Sequence, residues 1–404
     1  MKVLWISQEP PYLPSRSGFA LYGASLLTYL APKHEIDLVS LTRPGDSAAC
    51  EWGARLCASA TEIPYRRLNG LTRGLHSVAR FGLGRSMNPR SELGEFIRKE
   101  SARKQWEIIH VEGSYAGGLL GFPGPPAILS VHDAETLRLG AFRKCASSMG
   151  RSGRLLLLEK LEARFERLVY PRFSCCLAVN GRDKEVIEGI VPEADVRVLA
   201  NGVDTNYFTP ARRAKKDYAT AFHGNLSYPP NAEAAIHYAT EIFPLVRQQQ
   251  PEATFQIIGS RPPRSVVELG ALPGVEVSAD VDDLRPLLSA ASVYVCAVRY
   301  GSGIKNKILE AMALELPVVS YTAAADGIGA EQGRHFLLAE SASEYAASVL
   351  KLFKEPRGAE EMAREGRSFV VGHYSWASRA QELESIYAEQ IEKRGAIRLA
   401  RVRG

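Results

Sequence analysis

Short runs of aliphatic and β-branched residues alternate with helical stretches along this chain, and the alternation occurs twice. In the first half the predicted strands are Val3–Ser7, Glu35–Leu41, Ile108–Glu112, Ala127–Val131 and Cys175–Val179. In the second half they are Thr220–His223, Thr254–Ile258, Val275–Val277, Val293–Val298 and Pro317–Tyr321. Several of these runs are continuously apolar, as is typical of parallel strands buried on both faces of a sheet. The alternation therefore predicts two doubly wound α/β domains.

A turn-rich junction, Asn201-Gly202-Val203-Asp204, separates the two patterns. We place the domains at residues 1–200 and 201–376. The main predicted helices are Gly18–Leu30, Ser91–Lys104, Gly153–Val169, Asn231–Gln249, Asp282–Ala291 and Lys305–Leu314. A strongly helical segment, Ser375–Arg394, follows the second domain. We expect a helix over about residues 377–404 to return to the first domain; the alternative is a helix that only caps its own domain.

Composition indicates a soluble globular protein, since 46% of the residues are hydrophobic and 24% are charged. The six cysteines form no C-x-x-C pair, which argues against a disulfide framework and favours the cytoplasm. No apolar run is long enough for a membrane span. Met1–Ser7 reads as a first strand and not as a signal peptide.

Positive charge is concentrated between Arg66 and Lys104, where ten basic residues face three acids. One interpretation is an ordinary solvated helical surface. The other is a patch that contacts anionic lipid at the inner face of the membrane, or an acidic acceptor. Nucleic acid fits the charge, but no nucleic-acid-binding motif accompanies it, so we expect no nucleic-acid partner.

The stretch from Tyr300 to Ala313 combines small residues, cations and an acid at a strand–helix junction. Gly301, Ser302 and Gly303 would let a ligand approach the backbone closely, and the helix N-terminus suits a phosphate. Arg299, Lys305 and Lys307 add positive charge, while Glu310 could accept hydrogen bonds from ribose hydroxyls.

A purely structural interpretation of the same stretch exists. The glycines would only form the turn, and Lys307 with Glu310 would be a surface ion pair worth about 0.2–0.5 kcal/mol. The strand that follows, Pro317-Val318-Val319-Ser320, completes a strand–helix–strand unit and favours ligand binding.

The stretch from Gly301 to Val319 resembles the hallmark of the group-1, family-4 retaining glycosyltransferases of the GT-B fold, which reads G-x-G-x-x-x-K-x-x-E-A-M-A-x-G-x-P-V-V. The junction around Asn201–Asp204, with Phe208 and Pro210, resembles the family's interdomain motif. His223-Gly224-Asn225 with Pro230-Asn231-Ala232 resembles its Gly loop. The sequence looks most similar to sugar transferases of bacterial exopolysaccharide clusters. The resemblance implies two Rossmann-like domains facing a central cleft.

The resemblance also implies a donor site, position by position. Glu310 would bind the nucleotide ribose, and Lys307, with Lys305 and Arg299, would neutralise the diphosphate. Val281, in the Asp280-Val281-Asp282 turn, would meet the base through its backbone. The other expected donor-binding residues are Gly18, Gly224, Asn225, Gly301, Ser302 and Gly303.

In the first domain, Gly18 corresponds to the family's glycine that approaches the diphosphate. His132 and Asp133, just after a strand, match the pair near the transferred sugar. We therefore expect His132, Asp133 and Lys307 to take part in catalysis. A structural role for His132, as a satisfied partner inside the turn, is the alternative.

The chain departs from the family pattern at three places. Ser302 stands where the family often has the first carboxylate of an E-x₇-E pair. Ser227-Tyr228-Pro229-Pro230 replaces the usual Arg and Lys after the Gly loop, and Glu315 occupies a position that is commonly Gly. These departures leave the donor sugar open and place more of the diphosphate's charge on Arg299, Lys305 and Lys307.

The family resemblance implies a metal-independent, retaining transfer of a hexose from a nucleotide diphosphate sugar, without a cofactor. The acceptor would be a glycan, a lipid-linked glycan or another hydroxyl compound in cell-surface polysaccharide synthesis. Two alternatives remain at this stage: a non-catalytic nucleotide-sugar-binding protein, and a sugar-nucleotide epimerase of the same architecture. Acceptor-independent conversion of the donor would indicate the epimerase.

Overall fold

A computed structural model describes residues 1–13, 17–43, 46–65, 70–86, 90–119, 124–132, 134–144, 149–210, 216–299 and 304–403. The chain divides into two compact units. Unit 1 comprises Met1–Ala200 and Arg379–Gly404, and unit 2 comprises Asn201–Ser378. Among the described helices, none combines the length and the hydropathy that crossing a membrane requires.

Unit 1 contains a seven-stranded sheet in which every pair of neighbours is parallel. Its strands are β1 (Lys2–Ser7), β2 (Glu35–Thr42), β3 (Ser59–Pro64), β4 (Ile108–Glu112), β5 (Ala127–His132), β6 (Cys175–Ala178) and β7 (Val196–Val198). The spatial order is β3-β2-β1-β4-β5-β6-β7, so the strand order reverses between β1 and β4. Parallel strands need crossovers, which the helices of this unit supply.

The helices of the first 200 residues begin and end as follows: α1 (Gly18–Leu30), α2 (Ser47–Leu56), α3 (Gly70–Leu83), α4 (Arg90–Ser101), α5 (Ser114–Gly117), α6 (Glu135–Lys144), α7 (Met149–Val169) and α8 (Gly181–Ile190). β1 and β4 are buried along almost their whole length, which explains why apolar residues make up most of both strands. β3 alternates partly buried and exposed residues at the edge of the sheet, and the sequence analysis missed it.

Unit 2 contains a six-stranded parallel sheet in the order β10-β9-β8-β11-β12-β13. Its strands are β8 (Ala219–Asn225), β9 (Thr254–Ser260), β10 (Val275–Ala279), β11 (Val293–Cys296), β12 (Val318–Tyr321) and β13 (Leu337–Ala339). Its helices are α9 (Pro229–His237), α10 (Phe243–Gln249), α11 (Arg264–Val267), α12 (Arg285–Ser289), α13 (Asn306–Ala313), α14 (Thr322–Ala325), α15 (Ala342–Lys354) and α16 (Pro356–Tyr374).

The predicted helix Asn231–Gln249 corresponds to three consecutive segments. A π-helical turn, Tyr238–Ile242, joins α9 to α10, and the proline of α10 lies in its first turn. Proline has no N–H to continue the helical hydrogen bonds, and the wider π spacing lies directly before it. The helical stretch is thus present, but with a change of hydrogen-bond spacing in its middle.

The last helix, α17 (Trp376–Arg403), contacts unit 1 through its charged and aromatic residues. The hydroxyl of Tyr387 lies 2.8 Å from Nδ1 of His110, and both residues are buried. Oε1 of Glu384 lies 2.9 Å from Nε2 of His34, and Nη1 of Arg197 donates a hydrogen bond to Oε2 of Glu389 at 2.6 Å. Residues from 379 onward therefore belong structurally to unit 1.

Candidate functional site

The carboxyl ends of three strands of unit 2 lie side by side, along the edge of the sheet at which its parallel strands end. Gly224, near the end of β8, pairs with Gly259 of β9, which pairs in turn with Ala279 of β10. A Cβ on Gly259 would lie 2.0 Å from the carbonyl oxygen of Gly224, so only glycine fits. Ligands of open α/β sheets bind at such carboxyl ends, which makes this edge the candidate site.

Glu310 and His223 meet at this edge, although 87 residues separate them. Nε2 of His223 lies 2.7 Å from Oε2 of Glu310. The His223 side chain is only 5% exposed, whereas that of Glu310 is 25% exposed. The histidine therefore holds the carboxylate from the protein side, while part of the carboxylate stays accessible to a ligand.

Lys307 lies on the same helix, α13, one turn before Glu310. Its Nζ donates a hydrogen bond to Oδ1 of Asn231, the residue at the start of α9, and lies 4.8 Å from the centre of the Phe222 ring. A Cβ on Gly224 would approach Nζ of Lys307 to 2.9 Å. Glycine at position 224 therefore makes room for the ammonium group.

Burial lowers the pKa of Lys307 below its usual value, because leaving water disfavours the charged ammonium. Cys296 and Glu310 act in the opposite direction, and the positive charge of Lys305 adds to the lowering. An anion bound at this edge would stabilise the charged form of Lys307. The cluster is therefore suited to a ligand that carries phosphate.

Asn225 is the last residue of β8, and Val281 lies in the loop that follows β10. The Asn225 side chain accepts hydrogen bonds from the backbone and hydroxyl of Ser227, and its carbonyl accepts from Asn231 at 2.8 Å. Asp280 has φ of 49°, and its carboxylate accepts from the backbone N–H of Arg261 at 3.0 Å. These contacts shape the loop in which Val281 is partly exposed.

Arg299 has other neighbours than Lys307. It is exposed after β11 and lines a cavity of about 380 Å³ together with His237, Glu241 and Tyr321. Lys305, by contrast, is the N-cap residue of α13 and lowers the pKa of nearby Lys307. Gly301, Ser302 and Gly303 lie outside the described residues.

In unit 1, Gly18 opens α1, and the Ser17 side chain caps that helix by accepting from the Ala20 N–H at 3.4 Å. Within the described part of the chain, no atom lies within 4 Å of the position that a Cβ on Gly18 would take. That open space is compatible with the predicted close approach of a ligand.

His132 ends β5 with φ of 66°, a value that only a few per cent of non-glycine residues adopt. Its ring lies between two aromatic side chains of α1, with centroids 4.2 Å from Phe19 and 4.8 Å from Tyr22. Its Nε2 lies 3.2 Å from Oε1 of Glu112. Asp133 lies outside the described residues.

Glu112 is a residue that the sequence analysis did not single out. It is fully buried at the end of β4, and its Oε2 accepts hydrogen bonds from Nε1 of Trp5 at 3.1 Å and from Oγ of Ser7 at 3.3 Å. A Cβ on Gly23 would lie 2.3 Å from the same oxygen. The available signal was an acidic residue at the end of a strand that is mostly apolar.

The predicted basic patch is partly neutralised within unit 1. Nη2 of Arg80 lies 2.8 Å from Oε1 of Glu162, and Lys104 pairs with the buried Asp37. Arg98 and Lys99 of α4 are exposed, and Arg66 lies outside the described residues. The interpretation of Arg66–Lys104 as one continuous charged surface is thus weakened by these two pairs.

Among the described residues, no group of three His, Cys, Asp or Glu side chains is arranged to hold a metal ion.

Two family models match the chain one after the other. Glycosyltransferase Family 4 matches residues 16–207, and Glycosyl transferases group 1 matches residues 218–355. The two matches meet near the junction between the two units. The resemblance seen in the motifs is confirmed by these matches.

Curated relatives are similar over most of the chain. A 44.6 kDa protein of the cps region of Klebsiella pneumoniae is 22% identical over 397 residues, which are 92% of this chain and 96% of the relative. The MMP alpha-(1->4)-mannosyltransferase of Mycolicibacterium hassiacum is 22% identical over 303 residues, 72% of each chain.

Solved structures share the fold. Anabaena HepE, solved in complex with UDP, superposes with a TM-score of 0.67 at 12% identity, covering 96% of this chain and 100% of HepE. The predicted pair of Rossmann-like domains is confirmed by the two parallel sheets and by this similarity.

Proposed function

This chain belongs to the group 1 glycosyltransferases, and we propose that it transfers a hexose from a nucleotide diphosphate sugar to a hydroxyl group, with retention of configuration. The observation that carries the proposal is the cluster of His223, Glu310 and Lys307 at the carboxyl ends of the unit 2 strands. It offers a carboxylate for a ribose and a half-buried cation for a diphosphate at adjacent positions.

The donor would lie along this edge of the sheet. Val281, beyond β10, would meet the base, Glu310 would accept hydrogen bonds from the ribose hydroxyls, and Lys307 with Lys305 would meet the diphosphate. The N-terminus of α13 adds N–H donors and a partial positive charge. Anabaena HepE binds UDP and UDP-glucose, which supports a nucleotide diphosphate sugar as the ligand class.

The chemistry would need stabilisation of the leaving group above all. The bond between the anomeric carbon and the diphosphate oxygen breaks, and its electron pair goes to the diphosphate. The acceptor oxygen forms the new bond on the same face and gives its proton to the departing phosphate oxygen. Preorganised cations and helix N–H groups stabilise the charge that develops there. The proposal assigns this task to protein groups, without a metal or another cofactor.

The roles of Gly18 at a diphosphate and of His132 and Asp133 at the transferred sugar stay predictions that the family resemblance implies. The buried Glu112 would keep the His132 ring in place. The acceptor would be a glycan or a lipid-linked glycan. Similarity to a protein of a Klebsiella cps region supports a role in cell-surface polysaccharide synthesis.

Thermal-shift measurements with UDP, GDP, ADP and TDP test the donor site. We expect one nucleotide to stabilise the wild type, and Glu310→Ala to lose that stabilisation. Glu252→Ala, which removes an exposed carboxylate from the turn before β9, is the matched control and should behave as the wild type. No stabilisation by any nucleotide would contradict the proposal.

Turnover with the matching sugar nucleotide tests catalysis. Lys307→Ala or Glu310→Ala should lower the rate at least about tenfold, which corresponds to ~1.4 kcal/mol. A folded variant with the wild-type rate would remove that residue from the site. The replacement of a family carboxylate by Ser302 favours one competing function, a nucleotide-sugar-binding protein, for which tight binding without turnover would be found.

A further inference from the structure

The most exposed large hydrophobic side chains in the described part of the chain belong to two neighbouring helices. They are Val78 at 69%, Leu83 at 60%, Leu157 at 58% and Leu75 at 56% exposure. Val78, Leu83 and Leu75 lie on α3. Leu157 lies on α7, where Leu156 is exposed as well. Exposed apolar side chains that cluster in this way mark an interaction surface.

Helix α3 exposes Leu75 and Val78 on its outward face. Leu75 and Val78 are three positions apart and therefore share one face of the helix. Arg80 points the other way, into the protein, where it pairs with Glu162 and stacks over the ring of Phe165 at 4.6 Å. The segment Gly70–Leu83 contains no acidic residue. The outward face of α3 therefore carries apolar side chains without negative charge.

Helix α7 presents cations on its exposed face, whereas its acids are held inside or paired. Arg154, Lys160 and Arg164 are exposed. Glu162 and Glu166 are buried, and the partly buried Glu159 accepts from Arg143 at 2.9 Å. The outer face of α7 is therefore positively charged and surrounds Leu156 and Leu157.

Arg164 joins the two helices into one surface. Its Nε donates to the carbonyl of Phe81 at 2.8 Å and its Nη2 to that of Gly82 at 3.4 Å, both in the last turn of α3. Its positive charge thus lies beside the C-terminus of α3. We call the surface formed by Leu75, Val78, Leu83, Arg154, Leu156, Leu157, Lys160 and Arg164 the α3–α7 face.

We propose that the α3–α7 face docks on the surface of an anionic bilayer. The aliphatic side chains enter the boundary between headgroups and acyl chains, while the arginine and lysine side chains meet lipid phosphates. Apolar residues bordered by Lys and Arg are the composition that binds at a membrane interface. The docking surface is therefore α3 with α7, and not the whole stretch Arg66–Lys104, in which Arg80 and Lys104 are already paired.

Charge complementarity favours lipid over a second copy of the chain. Two copies that met through this face would place the α7 cations of one against those of the other. An anionic lipid surface, by contrast, offers negative charge over any area. Docking here does not require a working donor site, so the two proposals can fail independently.

Vesicle co-sedimentation of the full chain tests the docking. We expect binding to phosphatidylcholine vesicles that contain phosphatidylglycerol, weaker binding at high salt, and little binding to phosphatidylcholine alone. Val78→Glu and Leu157→Glu should each lower the partition coefficient at least about tenfold, and Lys160→Glu should lower it less. Nucleotide-induced thermal shifts of these variants should equal that of the wild type, which shows that the donor site is intact.

Two substitutions in unit 2 are the matched controls. Val371→Glu changes an exposed valine on α16, and Lys351→Glu reverses an exposed lysine on α15. Both should bind vesicles as the wild type does. The proposal is overturned if the wild type does not bind anionic vesicles at low salt, or if the controls lose as much binding as Val78→Glu and Leu157→Glu. A second result also overturns it: the wild type forms a concentration-dependent dimer and does not bind vesicles, and Val78→Glu abolishes that dimer.

Discussion

Nε2 of His132 lies 3.2 Å from Oε1 of Glu112, and the glutamate side chain has no exposed surface. The two residues end neighbouring parallel strands, β4 and β5. A buried carboxylate is costly unless hydrogen bonds satisfy it, and here Trp5 and Ser7 donate to its other oxygen. The carboxylate thus connects the backbone-strained His132 to the core of unit 1.

Removal of this carboxylate should destabilise unit 1. Glu112→Ala leaves the buried indole N–H of Trp5 without its acceptor and opens a cavity, so we expect a loss of about 3 kcal/mol in the free energy of unfolding. Glutamine has the size of glutamate and keeps one acceptor oxygen, so Glu112→Gln should lower the free energy of unfolding by less than about 1.5 kcal/mol. Denaturant unfolding measures both.

Glu107→Ala is the control for this pair, because Glu107 precedes the same strand and its hydrogen bond to the Lys2 N–H is exposed. It should cost less than about 1 kcal/mol. Equal losses for Glu112→Ala and Glu112→Gln would show that the acceptor is not what matters at this position.

His110 should make the stability of the protein fall in acid. Burial, with a smaller contribution from the charge of His132, lowers its pKa from 6.5 to about 3. Because the folded-state pKa is depressed, the neutral ring contributes stability that is fully present above pH 6.5 and is lost as the pH falls towards 3. At pH 5 this group alone should have cost about 2 kcal/mol.

His110→Gln removes the titrating group but keeps a donor and an acceptor for Ser130 and Tyr387. The free energy of unfolding of this variant should depend less steeply on pH between 6.5 and 4, because about one proton fewer is taken up on unfolding. Denaturant unfolding at several pH values measures the slope. An unchanged slope would mean that His110 accepts its proton in the folded protein as readily as in the unfolded chain.

Gly224→Ala should weaken diphosphate binding without unfolding unit 2. The added methyl group would lie 2.9 Å from Nζ of Lys307 and 3.0 Å from Nδ2 of Asn231, so the lysine must move. We expect the nucleotide dissociation constant to rise at least about tenfold, or ~1.4 kcal/mol. Isothermal calorimetry measures it.

Gly372→Ala, on α16 of the same unit, is the matched control because a Cβ there would meet no atom of the described residues within 4 Å. Its nucleotide affinity should equal that of the wild type, while its stability should rise slightly, since alanine favours a helix by about 0.5–1 kcal/mol over glycine. Unchanged affinity in Gly224→Ala would separate Lys307 from diphosphate binding.

Glu315→Gly should stabilise the protein. Glu315 follows the C-cap of α13 with φ of 53°, and the bonds from Leu316 N–H to Ala311 and from Glu315 N–H to Met312 close the turn that normally carries glycine. Relief of the left-handed strain should add about 0.5–1 kcal/mol to the free energy of unfolding.

Glu315→Ala separates backbone strain from side-chain effects. Alanine keeps the Cβ and hence the strain, and it removes the glutamate carboxylate, which lies 3.9 Å from Nε of Arg367. Thermal unfolding should therefore show no gain for Glu315→Ala. An equal gain in both variants would assign the effect to the glutamate side chain.

The central strands and the first helix could be predicted because their signals are local. β4 spans Ile108–Glu112 and α1 spans Gly18–Leu30, as the sequence predicts. The predicted strands do not include β3, β7 or β13. β3 alternates half-exposed residues at a sheet edge, and β7 and β13 have three residues each. Short edge strands bury too little apolar surface to produce a continuous apolar run.

Local sequence determined the alternation of strands and helices, the two parallel sheets and the motif at which Lys307 and Glu310 lie. Tertiary structure decided which side chains meet: His223 with Glu310, Glu112 with His132, Arg80 with Glu162, and Lys307 with Asn231. It also turned Leu75 and Val78 outward beside the cations of α7. The reason is physical. The hydrogen bonds of a helix and the burial pattern of a strand depend on a few consecutive residues. Parallel pairing between strands, by contrast, joins strand ends that lie far apart in the chain.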